Sequence, residues 1–430
     1  MLARGKAGYD GMARRSMRRR GLDMDGLIIG LDLCDSYTQI TCGGQEEAWT
    51  YPTIICKKKE SDDWYIGEEA YRLALEGEGV IVDKLLTFVK KDGVSTIGGT
   101  RYESLELLQR FLEKALEEAK EALWEERILE LCITLPKVDA RVMDILMYCG
   151  DYLGVPREHV HVISHTEAFA YYVLSQKREV WNNQVGMFDL TEESFCYYEM
   201  KVQRGLRQTT VVAERERLEE GFNLDILKTA SGMRLADKIL LACGERLMQK
   251  KLFSSIFLTG KGFESQDWAA DFMKMVCTRR KVFVDSTLFS KGACYRASDC
   301  VREKTSYPFV FICDGRLNAT VSVKAVHREQ ESQLVLAAAG DSWYEAKTTV
   351  DFIVENQRDI EFLVTPMDPK KKKILKLSLD GFPERGDKTL RVSVSIGFLD
   401  EKTMVIVVRD KGFGELFPAT DVVIREEVLL

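Results

Sequence analysis

Gly30-Leu31-Asp32-Leu33-Cys34-Asp35-Ser36-Tyr37 and, later in the chain, Met187-Phe188-Asp189-Leu190-Thr191-Glu192-Glu193-Ser194-Phe195 read alike. Each is an apolar strand that ends in Asp-Leu, passes through a tight polar turn and returns as a second strand. The echo predicts an internally duplicated α/β unit whose two hairpins face each other across a cleft. In such a cleft, turn N–H groups cradle phosphates and the paired carboxylates of Asp32 and Asp189 hold a hydrated magnesium ion. Two unrelated edge hairpins with solvated acids would give the same echo, so the pattern alone leaves both readings open.

Working outward, strand and helix signals alternate. Residues 51–56 read as a strand, and 67–76 and 80–91 as helices. Leu105, Leu108, Leu112, Ala115, Leu116, Ala119 and Leu123 recur at helical spacing over 104–124, with Ser104 as the expected N-cap. Ile128 to Leu135 is an apolar strand. A helix over about 139–153 stops at Gly154, with Pro156 beyond. A strand at 159–163 and a helix over 166–176 follow. After the second hairpin, 208–213, 256–258 and 281–284 read as strands, between helices at about 221–250, 266–277 and 289–302. From about 307 the segments alternate or are β-branched, at 317–326, 348–355, 374–379, 390–396 and 404–408. Turns such as Asp380-Gly381-Phe382-Pro383 divide them. An α/β region joined to an all-β domain is expected.

The chain has 430 residues, 45% hydrophobic and 30% charged, an ordinary globular mix that excludes wholesale disorder and fibrous classes. Its net charge of −7 argues against nucleic-acid binding by whole-protein charge. No apolar run approaches the ~20 residues that span a bilayer, and no signal-peptide stretch follows the arginines at 14–20, so a cytoplasmic protein with no membrane partner is expected. Residues 1–25 read as a disordered basic tail, with Met24 directly before the first folded element. The 11 cysteines form no C-x-x-C pair and sit among apolar neighbours, which predicts reduced, buried thiols. His159, His161, His165 and His327 lack metal-ligand spacing along the chain, so no structural zinc is expected. Lys370-Lys371-Lys372-Lys373 reads as a solvated turn.

The order of elements resembles the actin-like, sugar-kinase-like and DnaK-type ATPase superfamily, and the DnaK-type heat-shock chaperones above all. Gly30-Leu31-Asp32-Leu33 resembles their first phosphate motif and Phe188-Asp189-Leu190 their second. Ile133-Thr134-Leu135-Pro136 resembles the first connecting motif. Ser164-His165-Thr166-Glu167-Ala168-Phe169-Ala170-Tyr171 is similar in form to Asn-Glu-Pro-Thr-Ala-Ala-Ala-Tyr. Phe257-Leu258-Thr259-Gly260-Lys261-Gly262 resembles the adenosine motif, and Lys291-Gly292-Ala293-Cys294-Tyr295-Arg296-Ala297 the last connecting helix. Leu377 to Gly386 and the strands after it look like the chaperones' substrate-binding β-sandwich.

The resemblance implies a two-lobed actin-like ATPase domain of duplicated ribonuclease H-like type over 26–304, with lobe I at 26–180 and lobe II at 184–304. A β-sandwich follows over 305–430. It implies catalytic roles for Asp32, Asp189, Lys84 and His165, with magnesium on Asp32 and Asp189. Nucleotide contacts would come from Gly30, Cys34, Asp35, Ser36, Thr191, Glu192, Glu193, Gly260, Lys261 and Gly262. The departures point the other way. Thr191-Glu192-Glu193 stands where the family has three glycines, which alone let backbone wrap a phosphate closely. A carboxylate ~4 Å from a phosphate charge costs on the order of 4 kcal/mol at an effective dielectric of 20. His165 stands where the family has its water-orienting Glu, and Cys196 where it has a second magnesium-side Asp. Only about 40 residues separate the second hairpin unit from the strand at 256, so one side of the adenine pocket is expected to be missing. No helical lid is expected after Leu430. ATP or ADP with magnesium is therefore expected to bind weakly or not at all, and a protein or peptide partner is expected on the β domain. A working ATPase with altered loops and an actin-like scaffold or filament protein are the rival readings.

Overall fold

The fold was analysed in a computed structural model that describes residues 26–430 apart from 206–207, 328–329, 356–358, 368 and 387. The basic tail at 1–25 lies outside the described residues. Strands β1 (Leu27–Leu33) and β2 (Tyr37–Cys42) form the first predicted hairpin, followed by β3 (Ala48–Pro52). Next come β4 (Ile55–Lys58), β5 (Trp64–Ile66), helix α1 (Gly67–Leu75), β6 (Gly79–Val82) and α2 (Leu85–Lys90). A small hairpin, β7 (Val94–Ile97) and β8 (Thr100–Glu103), leads into the long α3 (Ser104–Leu123). Strand β9 (Ile128–Leu135), helix α4 (Ala140–Tyr152) and β10 (Val160–Ser164) complete this stretch.

Three expectations change here. The strand expected over 51–56 is two strands, split at Thr53 and Ile54. The helix expected over 80–91 is β6 and then only α2. Val80, Ile81 and Val82 are β-branched, which favours the pleated surface, and they pair with β4. Helix α3 begins at Ser104 itself, with Glu103 in the extended conformation before it, so Ser104 is its first buried residue and not its cap.

The second α/β stretch runs through α5 (His165–Ser175), β11 (Gln184–Leu190), β12 (Phe195–Arg204) and β13 (Thr209–Arg217). It continues as α6 (Ala230–Met248), β14 (Phe253–Thr259), α7 (Ala270–Val276), β15 (Lys281–Val284), α8 (Leu288–Cys300) and β16 (Val310–Ile312). The first large sheet has the order β10-β9-β1-β2-β3, and the second β15-β14-β11-β12-β13-β16. In each, the Asp-Leu strand is central, antiparallel to its hairpin partner and parallel to the strand on its other side. The turns close alike, Cys34 N–H to Tyr37 O at 2.9 Å and Thr191 N–H to Ser194 O at 2.9 Å. The sequence echo is thus an echo in backbone topology.

The chain forms two compact units that do not follow chain order. One holds the described residues up to Leu135, with Asp144–Val162 and Thr287–Ser306. The other holds Pro136–Met143, Ile163–Ser286 and Tyr307–Leu430. These units cut across the lobe boundaries expected at 180 and 304. Helix α8, counted with lobe II by chain order, belongs to the first unit, where Thr41 and Ser290 hydroxyls bond at 2.8 Å. A side chain on Gly30 would collide with Ser290 O and Cys294 N on this helix. Gly30 is glycine so that helix and strand can touch. Burial pushes the thiols of Cys42 and Cys294 up to about 12, as befits cysteines used as small apolar fillers. All 11 cysteines are free, and only Cys277 is exposed.

The all-β domain also starts later than 305, because β16 adds a parallel strand to β13 of the second sheet. The sandwich proper has sheets β18-β17-β20-β21 and β19-β22-β23-β24. Their strands are β17 (Ala319–His327), β18 (Gln330–Ala337), β19 (Thr348–Val354), β20 (Asp359–Pro366), β21 (Lys373–Ser378), β22 (Leu390–Phe398), β23 (Thr403–Asp410) and β24 (Val423–Leu429). Inward residues such as Val321, Phe362, Val392 and Ile406 form one core with Trp343. Beside it, Arg385 makes a two-pronged pair with Asp410 at 2.9 and 2.8 Å. Burial alone would raise the Asp410 carboxyl, but Arg385 and the N–H groups of Gly412 and Thr420 outweigh it and hold the group at about 2. Among the described residues no helix is long and apolar enough to cross a membrane.

Two outcomes follow for stability. Gly30→Ala should lose about 1–3 kcal/mol in urea unfolding, whereas Gly397→Ala, with only the Lys347 side chain nearby, should change it by less than about 0.5 kcal/mol. Because the Asp410 pKa is depressed on folding, its contribution is full above about pH 4 and fades as pH falls toward 2. Arg385→Leu should destabilise the domain at pH 7 by about 3–5 kcal/mol and flatten that acid-side slope.

Candidate functional site

In the first hairpin, Asp32 is fully buried near the end of β1. Its carboxylate accepts from the Tyr37 hydroxyl at 3.1 Å and lies 3.6 Å from the Cys34 thiol. Asp35 lies in the bend between β1 and β2. It accepts the Thr87 N–H at 2.9 Å and the Thr87 hydroxyl, and so caps the first turn of α2 from outside the helix. Lys84, immediately before that helix, has left-handed backbone (φ 50) and an exposed side chain. The carbonyl of Ser36 accepts the Thr53 N–H at 3.3 Å.

The second hairpin is closed by its own residues. The Thr191 hydroxyl accepts the Ser194 N–H at 3.1 Å. Glu192, expected to repel phosphate, pairs with Lys261 at 2.6 Å, and Arg217 donates to Glu193 O at 3.3 Å. Gly260 has φ 88, and a side chain there would strike Leu190 O and the Asp189 carboxylate. At Gly262 it would strike the Leu190 side chain. The adenosine-like turn thus lies directly on the end of β11. Phe263 and Trp268 stack behind it at 6.3 Å, and the Trp268 ring N–H bonds Gly262 O at 3.1 Å. Asp189 and Cys196 are buried. Arg215, which the sequence reading missed, sits beside them. Its guanidinium donates to Pro136 O, reaches the Cys196 thiol at 3.4 Å and lies over the Tyr198 ring.

The helix after β10 anchors the chain that enters the sandwich. Ser164 caps α5 by accepting the Glu167 N–H at 3.2 Å. The same hydroxyl donates to Asp314 O at 2.7 Å, and the Thr166 hydroxyl accepts the Asp314 N–H at 3.2 Å. Buried Glu167 forms a two-pronged pair with Arg316, whose Nε lies 2.9 Å from Oε2. Burial alone would lower the Arg316 pKa, but Glu167 keeps the guanidinium charged. His165, assigned a catalytic role by resemblance, is the first residue of this helix and is buried. In this unit, the Ser-His-Thr-Glu segment clamps the chain entering the sandwich. Nothing in the sequence around Arg316 signalled that partnership, since Glu167 lies 149 positions away.

Beside the clamp lies a cavity of about 540 Å³. Glu199, Glu214, Glu216, Asp314 and Glu401 supply five acids to its wall. Of its cations, Arg316 is committed to Glu167 and Lys251 to Glu199 at 2.6 Å. Burial, reinforced by the charge of Glu401, raises the Asp314 carboxyl. Arg215 and Lys402 also line the wall, so four cations stand against the five acids.

The model of a family described as "Family of unknown function (DUF5716) C-terminal" matches residues 36–314, and that of "Domain of unknown function (DUF8552)" matches 316–430. The boundary between them falls in the Asp314–Arg316 clamp. None of the curated proteins matches the chain. Among solved structures, a non-polymerising MamK mutant bound to AMPPNP is similar at 12% identity and a TM-score of 0.39, covering 64% of this chain and 99% of its own.

Removing one partner of the clamp strands a buried charge. Arg316→Leu or Glu167→Leu should each cost about 3–5 kcal/mol in thermal or urea unfolding. The double Leu variant should recover much of that loss, a coupling that a double-mutant cycle measures.

Proposed function

The chain belongs to the DUF5716 family, and from that premise we propose that it is a partner-binding scaffold that works without turning over a nucleotide. Its two similarly ordered sheets are read as the duplicated halves of an actin-like fold, with the β-sandwich as the partner-binding end. The observation that carries this reading is the self-occupied second hairpin. Lys261 already answers Glu192, and the Gly260–Gly262 turn is pressed against Leu190. A guanidinium, Arg215, stands beside Cys196, where the resemblance calls for an acid facing magnesium. These residues do not fit a magnesium–triphosphate. Binding one would require breaking the Lys261 pair and bringing phosphate against Glu193.

A protein or peptide partner suits the sandwich because its sheets end in open strands. Along β18, residues from Gln330 to Val335 are exposed, including Leu334 and Val335. Unpaired backbone on such an edge accepts an added strand.

Calorimetric titration of the full chain with ATP and with ADP, with and without magnesium, tests the reading. No binding heat is expected. Micromolar affinity that disappears in Asp32→Ala and Asp189→Ala would overturn it in favour of a working ATPase.

A further inference from the structure

The histidines that show no ligand spacing along the chain acquire it in space. Glu130 lies on β9, His161 on β10 beside it, and Cys300 is the last residue of α8. All three belong to the first unit. The Glu130 carboxylate, the His161 ring nitrogen and the Cys300 sulfur lie within 4.8 Å of one another. Glu130 is almost wholly buried, His161 and Cys300 partly so.

Strand alternation explains the convergence. Glu130 pairs with Ile28 in a parallel ladder in which Cys132 pairs with Gly30. Residues two apart on a strand share a face, so Glu130 lies on the side of β9 that α8 covers over Gly30. The end of α8 is fixed there, because Asp299 accepts the Thr305 hydroxyl at 2.6 Å and the Ser306 N–H at 2.7 Å.

We propose that Glu130, His161 and Cys300 form a binding site for a divalent zinc-class metal ion. Carboxylate, imidazole and thiolate together are a borderline-soft donor set suited to such an ion and not to magnesium or calcium. The surroundings have the form of an outer shell. The His159 ring Nδ1 meets the Glu130 Oε1 at 2.7 Å, leaving Oε2 with the His161 Nε2 at 2.8 Å. That arrangement orients the carboxylate, as outer hydrogen bonds do for metal ligands. Arg296 Nη1 lies 2.6 Å from the Cys300 sulfur. Three protein ligands leave one position of a tetrahedron to water or to an exogenous donor.

The full chain, stripped with chelator and dialysed against Zn²⁺, should retain about one equivalent by elemental analysis. Co²⁺ in its place should give a thiolate-to-metal charge-transfer band in the near ultraviolet. Cys300→Ser should abolish that band and His161→Gln should cut zinc affinity at least about tenfold, both with wild-type far-ultraviolet dichroism. Cys277→Ser, which removes the exposed thiol, should change neither. Failure to retain zinc, absence of the thiolate band, or equal binding by Cys300→Ser and wild type would overturn the proposal. None of these outcomes bears on the nucleotide titrations.

Discussion

A buried carboxylate and a partly buried guanidinium hold the second unit in register. Glu167 is buried and Arg316 partly so, and the Glu167 carboxylate is not tolerable without its partner. Such a pair adds little net stability, because desolvation consumes most of the attraction. It is unforgiving about position, however. The first turn of α5 and the backbone at 314–316 must meet in one geometry, and the Ser164 and Thr166 hydroxyls add directional bonds to it. β16 extends the second sheet immediately before this point, and the sandwich begins immediately after it. The Ser164–Glu167 segment thereby serves as a mount.

The second hairpin likewise has its charges answered from within the protein. Read alone, Thr191-Glu192-Glu193 is a loop under electrostatic stress. In the structure one acid is answered by Lys261. That exposed pair is worth at most about 1 kcal/mol, yet it removes the need for any bound cation. Arg215 carries permanent positive charge beside the buried strand pair. Asp35 in the first hairpin has been turned to capping α2. Each contact is small, and together they give Glu192, Thr191 and Asp35 partners within the protein.

Reading the sequence was most successful where the signal was local and periodic. The strand Leu27–Leu33, the hairpin return Tyr37–Cys42, the α3 stripe and the strand Lys281–Val284 were legible because apolar spacing follows burial directly. It failed where exposed edges blur that spacing. Strand β18, with Glu331 and Gln333 along it, and β24, with Arg425, Glu426 and Glu427, carry no apolar alternation to read. It failed also over 80–91, where β-branched residues joined to a short helix mimic one longer helix.

The amino-acid order by itself determined the central strands, the echo between the Asp32 and Asp189 hairpins, the change to all-β texture near the C-terminus and the use of cysteines as apolar fillers. Tertiary structure decided which charges answer one another, that α8 belongs with the first sheet, and that Glu130, His161 and Cys300 meet. The difference is physical. A strand or helix is written in neighbours a few residues apart, where period and propensity act. An ion pair across 149 positions, or a ligand set drawn from two strands and a distant helix end, exists only after long loops have closed. No local pattern records which ends they bring together.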